Sequence, residues 1–283
     1  MKTKNPISLR ATFFVTIQCL FMLVDLPYIV AGGLWTPEGA RSAGLNHSTV
    51  AIGDFWSIQN NQAGMAGIKR LTIGLSYQDL FGMNELAQRS VAVIAPLKWG
   101  VGGLSMHYFG FSLYSETKIG VAFARSLGKH FRFGIQLNYL QTKYGEHYGK
   151  AQDITFEIGL QADLTHDLHL GMWIFNPVSF KQASYQQEVL PIVFRFGLAY
   201  SFSKSLLVTA EAEKNSFINQ IVIRSGVEYE MNNRFTFRLG CGTNQEIFSL
   251  GLGIHLGHLQ LDLASRMHAS LGFSPQASIQ YTF

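Results

Sequence analysis

The chain has 283 residues, of which 14% are charged and 13% aromatic, with a formal net charge of +4. Mean hydropathy is only +0.13, and no run of 18 apolar residues occurs after residue 35, which excludes a helical membrane span in the body of the chain. The formal pI of about 9.0 is no argument for a nucleic-acid partner, because part of the basic excess belongs to a leader.

Lys2, Lys4 and Arg10 flank or precede an apolar stretch at 11–24. Residues 1–31 therefore read as a secretory signal, with cleavage near Ala31 or Gly32. Its removal takes three basic residues and Asp25, so the net charge falls from +4 to about +2. Cys19 leaves with it and Cys241 stays alone, so the mature chain is expected to hold no disulfide. Ile17-Gln18-Cys19-Leu20 lacks the small residues of a lipoprotein site.

Residues 32–68 form a second unit, which does not alternate. It is rich in small residues and contains Arg41, Asp54, Trp56, Asn60, Asn61, Gln62 and Gly64. The segment is too short for a domain and is expected to fill a barrel from the periplasmic side as a hatch or plug. A disordered leader is the alternative, and Phe55, Trp56 and Ile58 argue against it.

Residues 69–283 divide into fourteen alternating segments, placed at 71–78, 89–96, 99–110, 115–126, 130–142, 153–164, 167–175, 190–202, 205–214, 219–230, 233–242, 245–256, 257–266 and 271–283. Phe131, Phe133, Ile135, Leu137 and Tyr139 share one face, and Arg132, Gly134, Gln136 and Asn138 the other. A period of two means one wet and one dry face. A soluble sandwich gives the same alternation. Three features argue against it: the segments exceed the usual 5–6 residues, their apolar faces are almost free of charge, and the connections are asymmetric. Tight turns are expected at 97–98, 128–129, 165–166, 203–204, 231–233 and 257. Longer loops are expected at 79–88, 144–152, 176–189 and 267–270. The expectation is an all-β transmembrane antiparallel barrel of the bacterial outer membrane, with both termini periplasmic and outer-membrane lipid around it.

One resemblance enters at this point. Gly39-Ala40-Arg41-Ser42-Ala43-Gly44, followed by Asp54 and Asn60-Asn61-Gln62-Ala63-Gly64-Met65-Ala66, resembles the N-terminal hatch of the FadL-like barrel superfamily. It is most similar to the PorV/PorQ-type proteins of Bacteroidota, although Gln62 stands where proline is usual. Leu168-His169-Leu170-Gly171-Met172 before Phe175-Asn176-Pro177 resembles a mid-barrel strand of that family. The resemblance implies a fourteen-stranded barrel with an N-terminal plug.

The inward faces carry Arg132, Asp153, Glu157, Arg195, Glu211, Glu213, Arg224, Glu228, Arg234, Arg238, Asp262 and Arg266. Their mixed signs point to internal ion pairs that brace the lumen and hold a plug. Glu211, Glu213 and Glu228 are candidate partners for Arg41, and Arg224 and Arg238 for Asp54. The nine histidines are scattered, with no catalytic or metal-ligating spacing, so neither an enzyme, a metal nor a cofactor is expected. Leu250-Gly251-Leu252-Gly253 lies inside a strand and is no phosphate loop. Trp99, Tyr108, Tyr139, Tyr200, Tyr229 and Tyr281 fit interfacial girdles.

Two functions follow from the resemblance. The first is an accessory barrel with protein partners in type IX secretion or cell-surface attachment, which the modest loops favour. The second is a transporter of a hydrophobic ligand, with the hatch as gate.

Overall fold

The computed structural model describes residues 36–145, 149–178, 190–243 and 245–283. The signal assigned to residues 1–31 and the first four residues of the hatch segment lie outside them.

Fourteen antiparallel strands close into one barrel. They are β1 (Thr72–Asp79), β2 (Ala87–Leu97), β3 (Gly100–Phe111), β4 (Tyr114–Leu127), β5 (Phe131–Tyr144), β6 (Lys150–Asp163) and β7 (Leu168–Phe175). They continue as β8 (Val193–Ser203), β9 (Leu206–Asn215), β10 (Ile221–Asn232), β11 (Phe235–Gly242), β12 (Glu246–Leu256), β13 (Leu259–His268) and β14 (Gly272–Thr282). Each strand pairs with its sequence neighbours, and β1 meets β14 in the register Thr72↔Thr282 to Gln78↔Gln276. Closure leaves no open sheet edge. Register irregularities are confined to strand ends, at Ser201/Ser203, Glu230/Asn232 and Glu246/Phe248.

The alternation decides which side faces in. Along β5, Ile135, Leu137 and Tyr139 are exposed, whereas Gln136, Asn138 and Leu140 are buried. Along β11, Phe235, Phe237 and Leu239 are exposed, and Thr236 and Arg238 are buried. The outer wall is thus a continuous apolar band, and the inner wall is mostly polar. Among the described residues no helix is long and apolar enough to cross a membrane.

Six tight turns of two to four residues lie on one rim, at 98–99, 128–130, 164–167, 204–205, 233–234 and 257–258. The other rim is less regular than the sequence led us to expect. Ser112-Leu113, between β3 and β4, is as short as any turn on the opposite side, and only three residues separate β11 from β12. The loop at 80–86 carries two 3-10 turns, Leu80–Gly82 and Asn84–Leu86, and Phe81 N–H donates to the Ser274 hydroxyl at 3.1 Å. Arg234 shares the inward parity of β11, but it lies in a turn and is exposed, so it does not belong to the lumenal ladder.

Candidate functional site

Residues 36–68 lie against the inward faces of strands all around the barrel. A non-alternating stretch has no strand partner, so its backbone groups must be satisfied locally or by the wall. It folds into short helical turns, which the alternation-based reading had not anticipated: α1 (Ala40–Gly44), α2 (Ser57–Asn60) and a 3-10 helix, Gln62–Gly67. Glu38 faces His107 of β3, in the half of the lumen nearer the loops, and the segment runs from there to the turn rim at Lys69. Glu38 therefore lies well inside the barrel rather than at the turn mouth.

The three consecutive amides hold different parts of this segment. Asn60 bonds reciprocally with Glu38, donating to its carbonyl at 3.0 Å and accepting from its N–H at 2.7 Å. Asn61 donates to the carbonyls of Val50, Leu160 and Met172 at 2.6, 3.2 and 3.2 Å, joining segment, β6 and β7. Gln62 donates to Glu157 at 2.6 Å. A proline at position 62 has no donor for that carboxylate. Glu157 also accepts from Lys118, Asn138, Trp173 and, at 3.5 Å, Gln136, so this fully buried carboxylate has five donors.

A second cluster joins Arg195, Glu211, Glu213 and Arg224. Arg195 and Arg224 reach Glu213 at 2.7 and 3.0 Å. Glu211 turns to the segment and accepts the N–H groups of Thr49 and Val50, both at 2.9 Å. A third layer lies near the turn rim. Arg41 forks onto Glu228 at 2.8 and 2.6 Å, and Glu228 also accepts from Arg238, which reaches Asp262 at 2.7 Å. Such bidentate charge-assisted contacts are the stronger kind.

Asp54 is not held by Arg224 or Arg238. It pairs with Arg41, within the segment itself, at 3.1 Å. Both expected wall cations are already engaged, Arg224 by Glu213 and Arg238 by Glu228 and Asp262. Burial pushes the Asp54 carboxyl above its ordinary range, and the Arg41 guanidinium offsets part of that. Glu211 and Glu213 do not contact Arg41; they serve Arg195, Arg224 and the backbone. Arg132 pairs with Asp163, which also engages His169 at 2.6 Å. Trp56 is buried edge-on to Phe55, with ring centroids 5.0 Å apart.

Four contributors escaped the sequence reading: Glu38, His107, Lys118 and Trp173. The last three have inward parity in their strands, and parity alone was a sufficient signal. His107 meets Glu38 at 2.6 Å and Ser90 at 3.0 Å. Gln136 lies on the polar, inward face of β5, as the alternation placed it. It is fully buried, and a Cβ on Gly120 would meet its amide, so the wall is packed there as well.

Wall glycines fit the segment. A Cβ on Gly134 would strike Gln62 and Ala63, one on Gly159 would strike Asn61, and one on Gly171 would strike the Val50 carbonyl. On the far side, a Cβ on Gly240 would lie 2.6 Å from Asn46 N. Gly64 packs on Ser57 and the Ile52 carbonyl in the same way. Among the described residues no three His, Cys, Asp or Glu side chains are grouped to hold a metal ion.

Two predictions follow from this geometry. Gly171→Leu meets immovable backbone, so it should displace the segment while the barrel still closes. Limited proteolysis should then cut within 36–68, with heat-modifiable mobility retained; Gly102→Ala, which meets only the flexible Leu97 side chain, should leave the segment protected. The second concerns His47, which is buried beside Ser42 at 3.1 Å. Burial, with Arg266, Arg224 and Arg195 nearby, holds its imidazole well below the ordinary 6.5. The docked segment keeps His47 neutral, whereas a released one takes up a proton below 6.5. Docking should be at full strength above that pH and weaken as the pH falls through it. Proteolytic accessibility against pH should show the step, and His47→Asn, which tolerates the local φ of 63°, should remove it.

The sequence matches no family model, and no curated protein matches it. Solved structures do share its fold. The toluene transporter TbuX of Ralstonia pickettii superposes with a TM-score of 0.69 at 11% identity, over 88% of this chain and 99% of that one. The toluene transporter TodX of Pseudomonas putida gives 0.61 at 13% identity, over 87% and 97%. A FadL homologue of Pseudomonas aeruginosa gives 0.60 at 11% identity, over 86% and 97%. The chain shares the barrel fold of these proteins.

Proposed function

We propose that the chain is an integral outer-membrane barrel, with its turns toward the periplasm, that passes hydrophobic small molecules and uses residues 36–68 as the gate. One observation carries the reading beyond the shared fold. The inward faces of β5, β7 and β8 place Leu140, Trp173, Phe175 and Val193 together, with Leu190 beside them and Val50 of the segment beneath. Trp173 and Phe175 stack at 6.2 Å. This apolar cluster on the loop side of the lumen, separate from the one that packs Phe55, Trp56, Ile58 and Met65 against β2–β4, gives a hydrophobic molecule a place to leave water. It lies toward the loops, above the charged layers.

A second reading is an accessory barrel serving type IX secretion or surface attachment. The close fit between wall glycines and segment favours it, since a moving gate must undo that fit. The two readings differ in what the protein carries when purified in mild detergent: a bound hydrophobic molecule, or a stoichiometric protein partner.

Toluene added to the detergent-solubilised protein should change Trp173 fluorescence saturably, and Phe175→Glu should abolish the response. Deleting residues 36–66 should raise single-channel conductance in planar bilayers while the barrel still assembles; an unchanged, already open conductance in the parent would rule out the gate. The membrane placement has its own test. Leu137, 57% exposed at the middle of β5, should cost about 2–4 kcal/mol of folding into vesicles when changed to Arg. Gln280→Arg, on the half-buried inner face near the turn rim, should cost less.

A further inference from the structure

The two rims differ in charge. Every one of the six tight turns carries a basic or imidazole side chain: Lys98, Lys129, His166, Lys204, Arg234 and His258. All six are exposed. At the other rim, the connections at 112–113, 216–220, 243–245 and 269–271 contain no Lys, Arg, His, Asp or Glu. The turn rim has three carboxylates. Asp163 is engaged by Arg132 and His169, Asp167 meets His166 at 2.9 Å, and Glu230 lies on the inward parity of β10. Lys98, Lys129, Lys204 and Arg234 make no ion pair among the described residues.

Each of these four lies at the edge of the apolar band. Lys98 stands between Leu97 and Trp99, the latter 72% exposed. Lys129 is flanked by Leu127 and Phe131, Lys204 follows Phe202, and Arg234 precedes Phe235, all exposed and outward-facing. An outward apolar residue beside an exposed cation is the arrangement that places a long basic side chain at the level of lipid phosphates.

We infer that the turn rim is a ring of binding positions for anionic phospholipid head groups. The inference rests on the proposed membrane placement of the barrel. The ring's spread selects lipid over an acidic protein. The four cations stand on four separate turns between β2 and β11, with His166 and His258 on the other two, a spread that an annulus of lipid reaches. A protein docked at the mouth would cover one sector or the lumen opening. Each cation near an anionic surface favours association about fivefold.

The test uses the full mature chain refolded into vesicles of phosphatidylcholine alone or with phosphatidylglycerol, then analysed by native mass spectrometry for retained lipid. The parent should retain phosphatidylglycerol in preference to phosphatidylcholine, and the preference should fall in high salt. K98Q/K129Q/K204Q/R234Q should lose most of it while keeping heat-modifiable mobility. K143Q/K150Q/K214Q, at the loop ends of the strands, should keep it. Equal preference in parent and turn variant overturns the inference, as does a parent indifferent to lipid charge, which leaves an acidic protein as the occupant. Failure of the parent to insert into either vesicle type overturns the membrane placement and, with it, the ring.

Discussion

A barrel of fourteen strands encloses more space than its own inward side chains can fill. That constraint governs the rest of the molecule. Something else must occupy the lumen, and here part of the same chain does so. A helical or extended segment brings its peptide groups with it, and in a confined space each needs a partner. The wall supplies them: Glu211 takes two N–H groups, Gln161 donates to the carbonyls of Val50 and Ile52, and Ser249 donates to that of Gly44. The polar inner wall is therefore more than a water-facing surface. Much of it is a hydrogen-bonding template for the segment.

The charges obey the same constraint. A guanidinium or carboxylate removed from water is costly unless paired and hydrogen-bonded. Each buried cation in the lumen lies within a short network: Lys118 with Glu157, Arg195 and Arg224 with Glu213, Arg238 with Glu228 and Asp262. Strand register makes this possible, since Glu228 lies directly opposite Arg238, Arg224 opposite Glu211, and Arg195 opposite Glu213. Removing one partner leaves its neighbour buried and uncompensated, so the networks fix position more than they add stability. The segment enters them at few points, chiefly Arg41 and Gln62.

Alternation made the strands legible, because the period of two is imposed by a wall with one apolar and one polar side. Every strand boundary read from it lies within three residues of the observed one. What escaped depends on the path of a non-repetitive chain. The pairing of Arg41 with Asp54 follows from how the turns between α1 and α2 fold back, which no periodicity encodes. Alternation places the connection at Ser112-Leu113 over 111–114, two residues too long, because neither Ser112 nor Leu113 is a Gly, Pro, Asn or Asp that would mark the turn. Alternation put Gln136 on the polar face but does not show that this face is packed rather than solvated there. Its burial comes from the neighbouring strands and their side chains.

On the side of β5 to β13 the lumen is graded along its axis, whereas β2 to β4 pack an apolar cluster near the turns. Toward the loops lies the apolar cluster around Trp173 and Phe175; below it lie the networks of Glu157 and Glu211; nearest the turns lies the layer of Arg41, Glu228, Arg238 and Asp262. A hydrophobic molecule entering from the loops meets a favourable surface first and a charged floor afterwards. On the proposed transport reading, the floor and not the roof is the barrier to passage along the axis. Lowering it means separating Arg41 from Glu228, and Arg41 is also the partner of Asp54. Movement of α1 therefore strips two carboxylates of one cation at once. Glu228 keeps Arg238, but Asp54 keeps only Ser57, a neighbour within the segment. Asp54 is also the more accessible of the segment's acids, at 17% side-chain exposure against 3% for Glu38, so water reaches it as soon as the floor opens. The segment is thus held near the turns on two walls at once, by the layer of Arg41, Glu228 and Arg238 on one side and by the close fit to Gly134, Gly159 and Gly171 on the other.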